Sequence, residues 1–309
     1  MEGKGFFLVG LLLFSIAAIS TAKNSPKGSP KLFVFGDSYV DTGNWPRNVR
    51  GPWKEPYGKT IFPGKPNGRA SDGRVLTDHI VVFSPHGRMT ASQSRSINLN
   101  SCSKKMYTAV NVTLNTVHRL LWFPPDPTTI HSIPRPKKGS KDGLPGFTKG
   151  LVKQLAADLQ RINRLGVKKV VVATLPVIGC LPIHTTPPNS YQNCDEESNK
   201  NARIHNKLLL KAVKKLNTDD GKKSTFVVLD LYNAMVSAID QFRKRAANTE
   251  YKNPLQPCCS KIVDFKCLAE GVCPNPKSSF FFDLTHPSDN GWNAIFSLLQ
   301  CSLNKDLKV

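Results

Sequence analysis

KKVVVATL, residues 168 to 175, is a continuous apolar run behind two lysines. It does not alternate apolar with polar, so it predicts a strand buried on both faces, the kind found inside a parallel sheet. The stretch before it has a different period. Phe147, Leu151, Val152, Leu155, Leu159, Ile162 and Leu165 recur at helical spacing from Leu144 onward, and Gly166 ends the run. A proline-rich loop follows from Pro176 to Asn193. Then the cycle repeats. Asn199 to Leu216 carries Ile204, Leu208, Leu209, Val213 and Leu216 on one helical face, and TFVVLDL, residues 225 to 231, is a second buried strand. Tyr232 to Arg245 and Asn290 to Leu303 read as further helices. Strands that alternate with helices predict an α/β three-layer sandwich: a mostly parallel sheet with helices on both faces.

The N-terminal half adds one more strand, KLFVF at Lys31 to Phe35, bounded by Gly36. After a Pro/Gly-rich stretch from Trp45 to Gly73, Ser71 to Val82 reads as a helix. Ser71 or Asp72 would cap it, and Val75, Leu76, His79 and Ile80 would share a face. Residues 83–143 show no sustained period. They hold nine Lys/Arg against two Asp, with many Ser, Thr, Asn and Pro. That is an atypical segment with the composition of a disordered stretch.

The chain begins with an address. Lys4 precedes the apolar run Phe6 to Ile19, and the small residues Ser20, Thr21 and Ala22 follow. This is the layout of a signal peptide, residues 1–22, cut after Ala22. The run is short against the roughly 20 residues a bilayer needs, and no later segment is longer. The expectation is an exported protein with no stable membrane insertion. A Lys/Pro/Gly/Ser linker (23–30) leads into a single domain spanning 23–309.

All eight cysteines lie beyond residue 22, and export permits disulfides among them. The group Cys258, Cys259, Cys267 and Cys273 sits among Pro, Gly and Lys residues, as in a loop held by bridges. Its CC-x7-C-x5-C spacing is not a familiar zinc pattern. Which cysteine pairs with which stays open on spacing alone. Net charge is +21. Such a chain is drawn to polyanions. The lysines are scattered singly and in pairs, without a stripe interleaved with aromatics, so nucleic acid is not the expected partner. Acidic cell-wall polysaccharide suits an exported protein better.

Three residues could carry chemistry. Ser38 lies in FVFGDSYVDTGN, three residues past a strand, where open parallel sheets place their ligands. A serine there is also a common helix cap. Near the other end, FFFDLTHPSDNGW, residues 280 to 292, carries Asp283 and His286. Asp-x-x-His lets a carboxylate reach back to its imidazole and set the tautomer that a general base needs.

The block around Ser38 resembles the first sequence block of the plant GDSL esterases/lipases of the SGNH hydrolase superfamily. FPGKPNGRASDGRVLTDHI (62–80), LGVKKVVVATLPVIGCLP (165–182) and the Asp283/His286 block are similar to the same family, in the same order. The resemblance covers about two thirds of the chain, by inspection of residues 31–80 and 144–300. It implies that Ser38 is the nucleophile, His286 the base and Asp283 its partner. It also implies a secreted serine esterase or lipase that cleaves carboxylic esters through an acyl-enzyme, with no cofactor and no metal.

The oxyanion hole departs from the family. The backbone N–H of Ser38 can supply one donor. The family's glycine block and its Gly-x-Asn-Asp block occur nowhere in the chain. Both belong between Ile80 and Leu144, where Asn98, Asn100, Asn111 and Asn115 lack the right context. The break in composition there fits an altered splice or reading frame. An alternative reading follows: a catalytically impaired relative that binds lipid or acidic wall polysaccharide. Asn111-Val112-Thr113 is the one glycosylation sequon, a site open to use after export, inside the segment without a pattern. Asp41, Asn44, Asp72, Asp78 and Asp230 read as turn and cap residues, and His79 as a packing residue. Phe280, Phe281 and Phe282 suit the core better than an acyl pocket.

Overall fold

The computed structural model describes residues 33–44, 51–60, 62–82, 110–112, 143–167, 169–185, 190–219, 225–246, 253–263 and 266–306. The leader at 1–22, the linker at 23–30, Asn98, Asn100, Asn115 and Cys102 lie outside these residues. The described part falls within one compact unit, Leu32–Val309.

Four strands form one sheet: β1 (Phe33–Phe35), β2 (Val110–Val112), β3 (Val170–Ala173) and β4 (Phe226–Leu229). Every neighbouring pair is parallel, and the order across the sheet follows the order along the chain. The helices are α1 (Leu76–Val82), α2 (Gly143–Arg164), the short α3 (Pro182–Thr185), α4 (Glu196–Asp219), α5 (Leu231–Ala246) and α6 (Asp289–Asp306). The expected α/β alternation holds.

Side chains alternate across a strand, and here the alternation sorts the core. Val171, Ala173, Val227 and Leu229 join one apolar cluster, with Leu76 and Ile80 of α1, Met235 and Phe242 of α5, and Trp292 and Leu299 of α6. Val170, Val172 and Phe226 join another, with Leu155 and Leu159 of α2 and Leu209, Val213 and Leu216 of α4. The stretch Val170–Ala173 is apolar throughout because both of its faces meet helices. Each fully buried Leu, Val or Phe in these clusters contributes about 1.5–3 kcal/mol.

Several boundaries differ from the expectation, for physical reasons. β3 stops at Ala173 because Asn206 of α4 takes over as partner. It accepts the Leu175 N–H at 2.8 Å and donates to the Leu175 carbonyl at 3.0 Å. The proline-rich stretch is not all loop: it holds a 3-10 turn at Ile178–Cys180 and then α3. α1 starts at Leu76 rather than near Ser71. The Asp78 carboxylate takes the Val75 N–H at 3.0 Å, while Asp72 turns away to the Asp289 N–H at 2.7 Å. Gly166 ends α2 as expected, with φ at +93°.

One correction concerns the segment without a pattern. It supplies β2, an internal strand of three residues, which is too short to show a period of two. Asn111 is the middle residue of β2, and its backbone is paired with β1 on one side and β3 on the other. Asn111, the acceptor residue of the sequon, therefore lies in an internal strand.

The cysteine-rich loop is bridged as the composition predicts. Cys258 pairs with Cys273 and Cys259 with Cys267, and Cys180 pairs with Cys194. The first two bridges surround an antiparallel hairpin, β5 (Ile262–Val263) and β6 (Lys266–Cys267). They form a third apolar cluster with Tyr57 and Phe282.

Candidate active site

β1 ends at Phe35, and the chain turns sharply through Gly36 to Val40. The Asp37 carbonyl accepts the Val40 N–H at 3.1 Å, and the Asp37 carboxylate accepts the Tyr39 N–H at 3.0 Å. Asp side chains often close turns in this way. The turn is pinned from below by α1: the Leu76 N–H donates to the Tyr39 carbonyl at 3.2 Å, and the Thr77 hydroxyl to the Val40 carbonyl at 2.7 Å. Ser38 is held half-buried on this turn, and no helix starts there for it to cap.

The second half of the site is the loop Asp283–His286, just ahead of α6. Asp283 Oδ1 accepts two backbone N–H groups of its own loop, Thr285 at 2.9 Å and His286 at 2.8 Å. Both carboxylate oxygens lie 2.8 Å from His286 Nδ1. The opposite ring nitrogen, Nε2, lies 2.7 Å from Ser38 Oγ. Sequence places Ser38 248 residues from His286, and the fold brings them into one hydrogen bond. The His286 side chain keeps 15% of its surface open.

With Nδ1–H donating to Asp283, Nε2 is an acceptor, and it faces the serine proton. Burial alone would lower the His286 pKa. The charges of Asp283 and, less strongly, Asp37 reverse this and hold it above its ordinary value of 6.5. Burial would likewise push the Asp283 carboxyl up. His286 and the loop N–H groups outweigh it and hold that carboxyl below the usual range. Burial is the main reason that Asp37 is raised, and its hydrogen bond from Tyr39 only partly offsets this. A hydroxyl, an imidazole and a carboxylate so arranged can make an alkoxide-like nucleophile at an acyl carbon and return the proton to a leaving group.

Sequence reasoning missed three residues of this site. The Tyr39 hydroxyl donates to the Thr285 carbonyl at 2.6 Å and ties the serine turn to the histidine loop. Its ring meets His286 edge-on at 5.9 Å and Trp292 at 5.0 Å. Tyr57, inside the stretch read as Pro/Gly loop, donates to Asp283 Oδ2 at 3.0 Å. Thr285 was an unremarked letter in the motif. Only Tyr39 could have been suspected, from its place beside Ser38.

The other named residues are structural. Asp41 accepts the Gly43 and Asn44 N–H groups in a turn. Asp78 makes a paired salt bridge with Arg69 at 2.7 Å, both largely buried. Asp230 caps α5 through the Asn233 N–H. His79 stacks on Phe296 at 5.8 Å, and burial lowers its pKa to about 4, so it is neutral. Phe280, Phe281 and Phe282 are fully buried. Among the described residues, no group of three His, Cys, Asp or Glu is arranged to hold a metal ion. No described helix is long and apolar enough to cross a membrane.

Comparison with known proteins points to a family. A family model described as GDSL-like Lipase/Acylhydrolase matches residues 140–299. Three Arabidopsis thaliana proteins, each named a GDSL esterase/lipase, align with most of the chain. The first is 36% identical over 317 residues, covering 90% of this chain and 88% of the relative. The second is 33% identical over 346 residues, covering 94% and 96%. The third is 31% identical over 344 residues, covering 98% of each. Each aligned stretch exceeds the 309 residues of this chain, so each relative carries residues that this chain lacks.

Proposed function

The chain belongs to the GDSL-like lipase/acylhydrolase family and is a carboxylic ester hydrolase by that kinship, and from this premise we propose that it works through Ser38, His286 and Asp283. The observation that carries the reading is the unbroken line of short contacts from Ser38 Oγ through His286 to Asp283. Ser38 attacks the ester carbonyl while Nε2 takes its proton. The imidazolium then protonates the leaving alcohol, and an acyl-serine remains. Water attacks that ester, His286 takes the water's proton, and the acid leaves with Ser38 restored. Asp283 steadies the imidazolium throughout. The Ser38 backbone N–H is the one oxyanion donor the reading names. The two apolar clusters support a three-layer sandwich as the frame. The disulfides seen among the described residues and the leader-like first 22 residues support export to the cell wall, where the mature chain would start at Lys23.

The purified chain should hydrolyse a short-chain nitrophenyl ester, with an acid limb above pH 6.5 set by His286. Ser38→Ala should remove the activity. Equal background rates from both proteins would refute the esterase reading.

A second reading rests on a different observation. Lysines scattered in sequence become one exposed row on α4: Lys200, Arg203, Lys207, Lys211 and Lys214. The row and the missing oxyanion blocks support a protein that binds acidic polysaccharide. Salt-sensitive retention on pectin without turnover would favour it.

A further inference from the structure

The carboxylate of Asp283 has a third kind of partner besides its own loop and His286. Tyr57 reaches it from the far side of the chain, 226 residues away in sequence. The tyrosine hydroxyl is itself held. It accepts the Cys267 N–H at 3.3 Å while donating to Asp283 Oδ2 at 3.0 Å. Two lines of donors meet at the carboxylate. From one side the Cys267 N–H donates to the Tyr57 hydroxyl and that hydroxyl to Oδ2. From the other the serine O–H faces Nε2 while Nδ1–H donates to the carboxylate. Donors aligned in this way polarise one another.

Cys267 leads back to the same place by a second route. It is bridged to Cys259, whose N–H donates to the Phe282 carbonyl at 2.9 Å. Its neighbour Cys258 donates to the Phe281 carbonyl at 2.9 Å. One end of the Cys259–Cys267 bridge therefore fastens the backbone just ahead of Asp283. The other end fastens the tyrosine that touches its side chain. The bridge is buried, and the Tyr57 ring packs edge-on against Phe282 at 5.3 Å.

We propose that Tyr57 is a positioning residue for Asp283 and His286, and that the Cys259–Cys267 loop is the device that holds it in place. The proposal rests on the esterase reading for its consequence in catalysis but not for its geometry. Tyr57→Phe keeps the ring and its contact with Phe282 and removes only the hydroxyl. The Asp283 charge then faces His286 with one donor fewer to share it. The imidazolium is held more tightly, and the histidine titrates at higher pH. The charged and titratable groups facing that ring are Asp283, Asp37 and Tyr39. Tyr57 acts on it through Asp283, and only Tyr57 is changed.

The test uses the full disulfide-bonded chain. Tyr57→Phe is compared with wild type by nitrophenyl ester kinetics across pH and by NMR titration of the His286 imidazole. The expected result is a kcat lowered roughly three- to tenfold with KM unchanged, a part of what one hydrogen bond to a buried charge is worth. His286 titrates higher and the acid limb moves with it. The double change Cys259→Ala, Cys267→Ala shifts the titration the same way, whereas Cys180→Ala, Cys194→Ala leaves it in place. A His286 titration unmoved or lowered in folded Tyr57→Phe overturns the proposal. If Ser38→Ala hydrolyses ester as fast as wild type, the esterase reading falls, and the titration still decides the role of Tyr57.

Discussion

Asp283→Asn keeps size and shape and changes one oxygen into a donor, so its effect can be worked out from the contacts. The new amide has two orientations. In one, its oxygen takes the place of Oδ1 and keeps the Thr285 and His286 N–H bonds at 2.9 and 2.8 Å. Its NH2 then faces His286 Nδ1 and the Tyr57 hydroxyl, and that hydroxyl proton loses its acceptor. In the other orientation, the NH2 points at two backbone N–H groups. A buried donor left unsatisfied costs about 1–3 kcal/mol, so two lost partners cost more than one. The first orientation wins. The oxygen at the Oδ1 position also lies 2.8 Å from Nδ1 but already takes two N–H groups. The amide NH2 at the Oδ2 position, likewise 2.8 Å away, therefore favours an Nδ1 that accepts and moves the imidazole proton to Nε2, facing Ser38 at 2.7 Å. A protonated Nε2 cannot take the serine proton. The same exchange in an unrelated serine hydrolase, a worked case for this chemistry, lowers kcat about 10⁴-fold. That corresponds to about 5.4 kcal/mol of barrier. The assay is initial-rate hydrolysis of a nitrophenyl ester from pH 5 to 9, with thermal unfolding to show that the variant is folded. A folded variant with kcat within about tenfold of wild type would refute the tautomer argument.

Asp72 is pushed up to about 6, chiefly by burial, from an ordinary 3.8. The folded chain then binds a proton that the unfolded chain releases between those values. Stability falls as pH rises through about 4 to 6, by up to about 3 kcal/mol. Asp72→Asn should flatten that slope in chemical denaturation series, its oxygen still accepting the Asp289 N–H. Gly291→Ala would set a Cβ 2.2 Å from the Phe280 carbonyl oxygen. It should destabilise by about 2 kcal/mol or more, and the loss should appear as a lowered midpoint on thermal unfolding. Removing the Cys180–Cys194 bridge opens a loop of separation 14. It should lower stability by about 3 kcal/mol in denaturant titration, with kcat per folded molecule unchanged.

Much of this was legible because the signals were local or came in sets. The apolar runs at 168–175 and 225–231 gave the strands, since burial on both faces leaves no alternation to misread. Asp283 and His286 share one short loop, so their partnership shows in four letters. Ser38 needed its flanking residues and the second motif to rise above a helix cap. Tyr57 was invisible for a physical reason: its partner lies 226 positions away, and nothing near it in sequence marks the contact. β2 was invisible because three residues carry no period. The α1 cap was misplaced because Asp72 found a partner on α6, a choice that only packing decides.

Strand order in this sheet repeats chain order, and this gives β2 a weight its letters do not suggest. β1 delivers the serine, and among the described residues β1 touches the rest of the sheet only across Val110–Val112. Three extended residues in the right register are all the span requires. What the span asks of that segment is an extended shape more than any particular side chain. A substitution such as Val112→Pro, far from any reacting atom, would act like a cut hinge between the serine and its base.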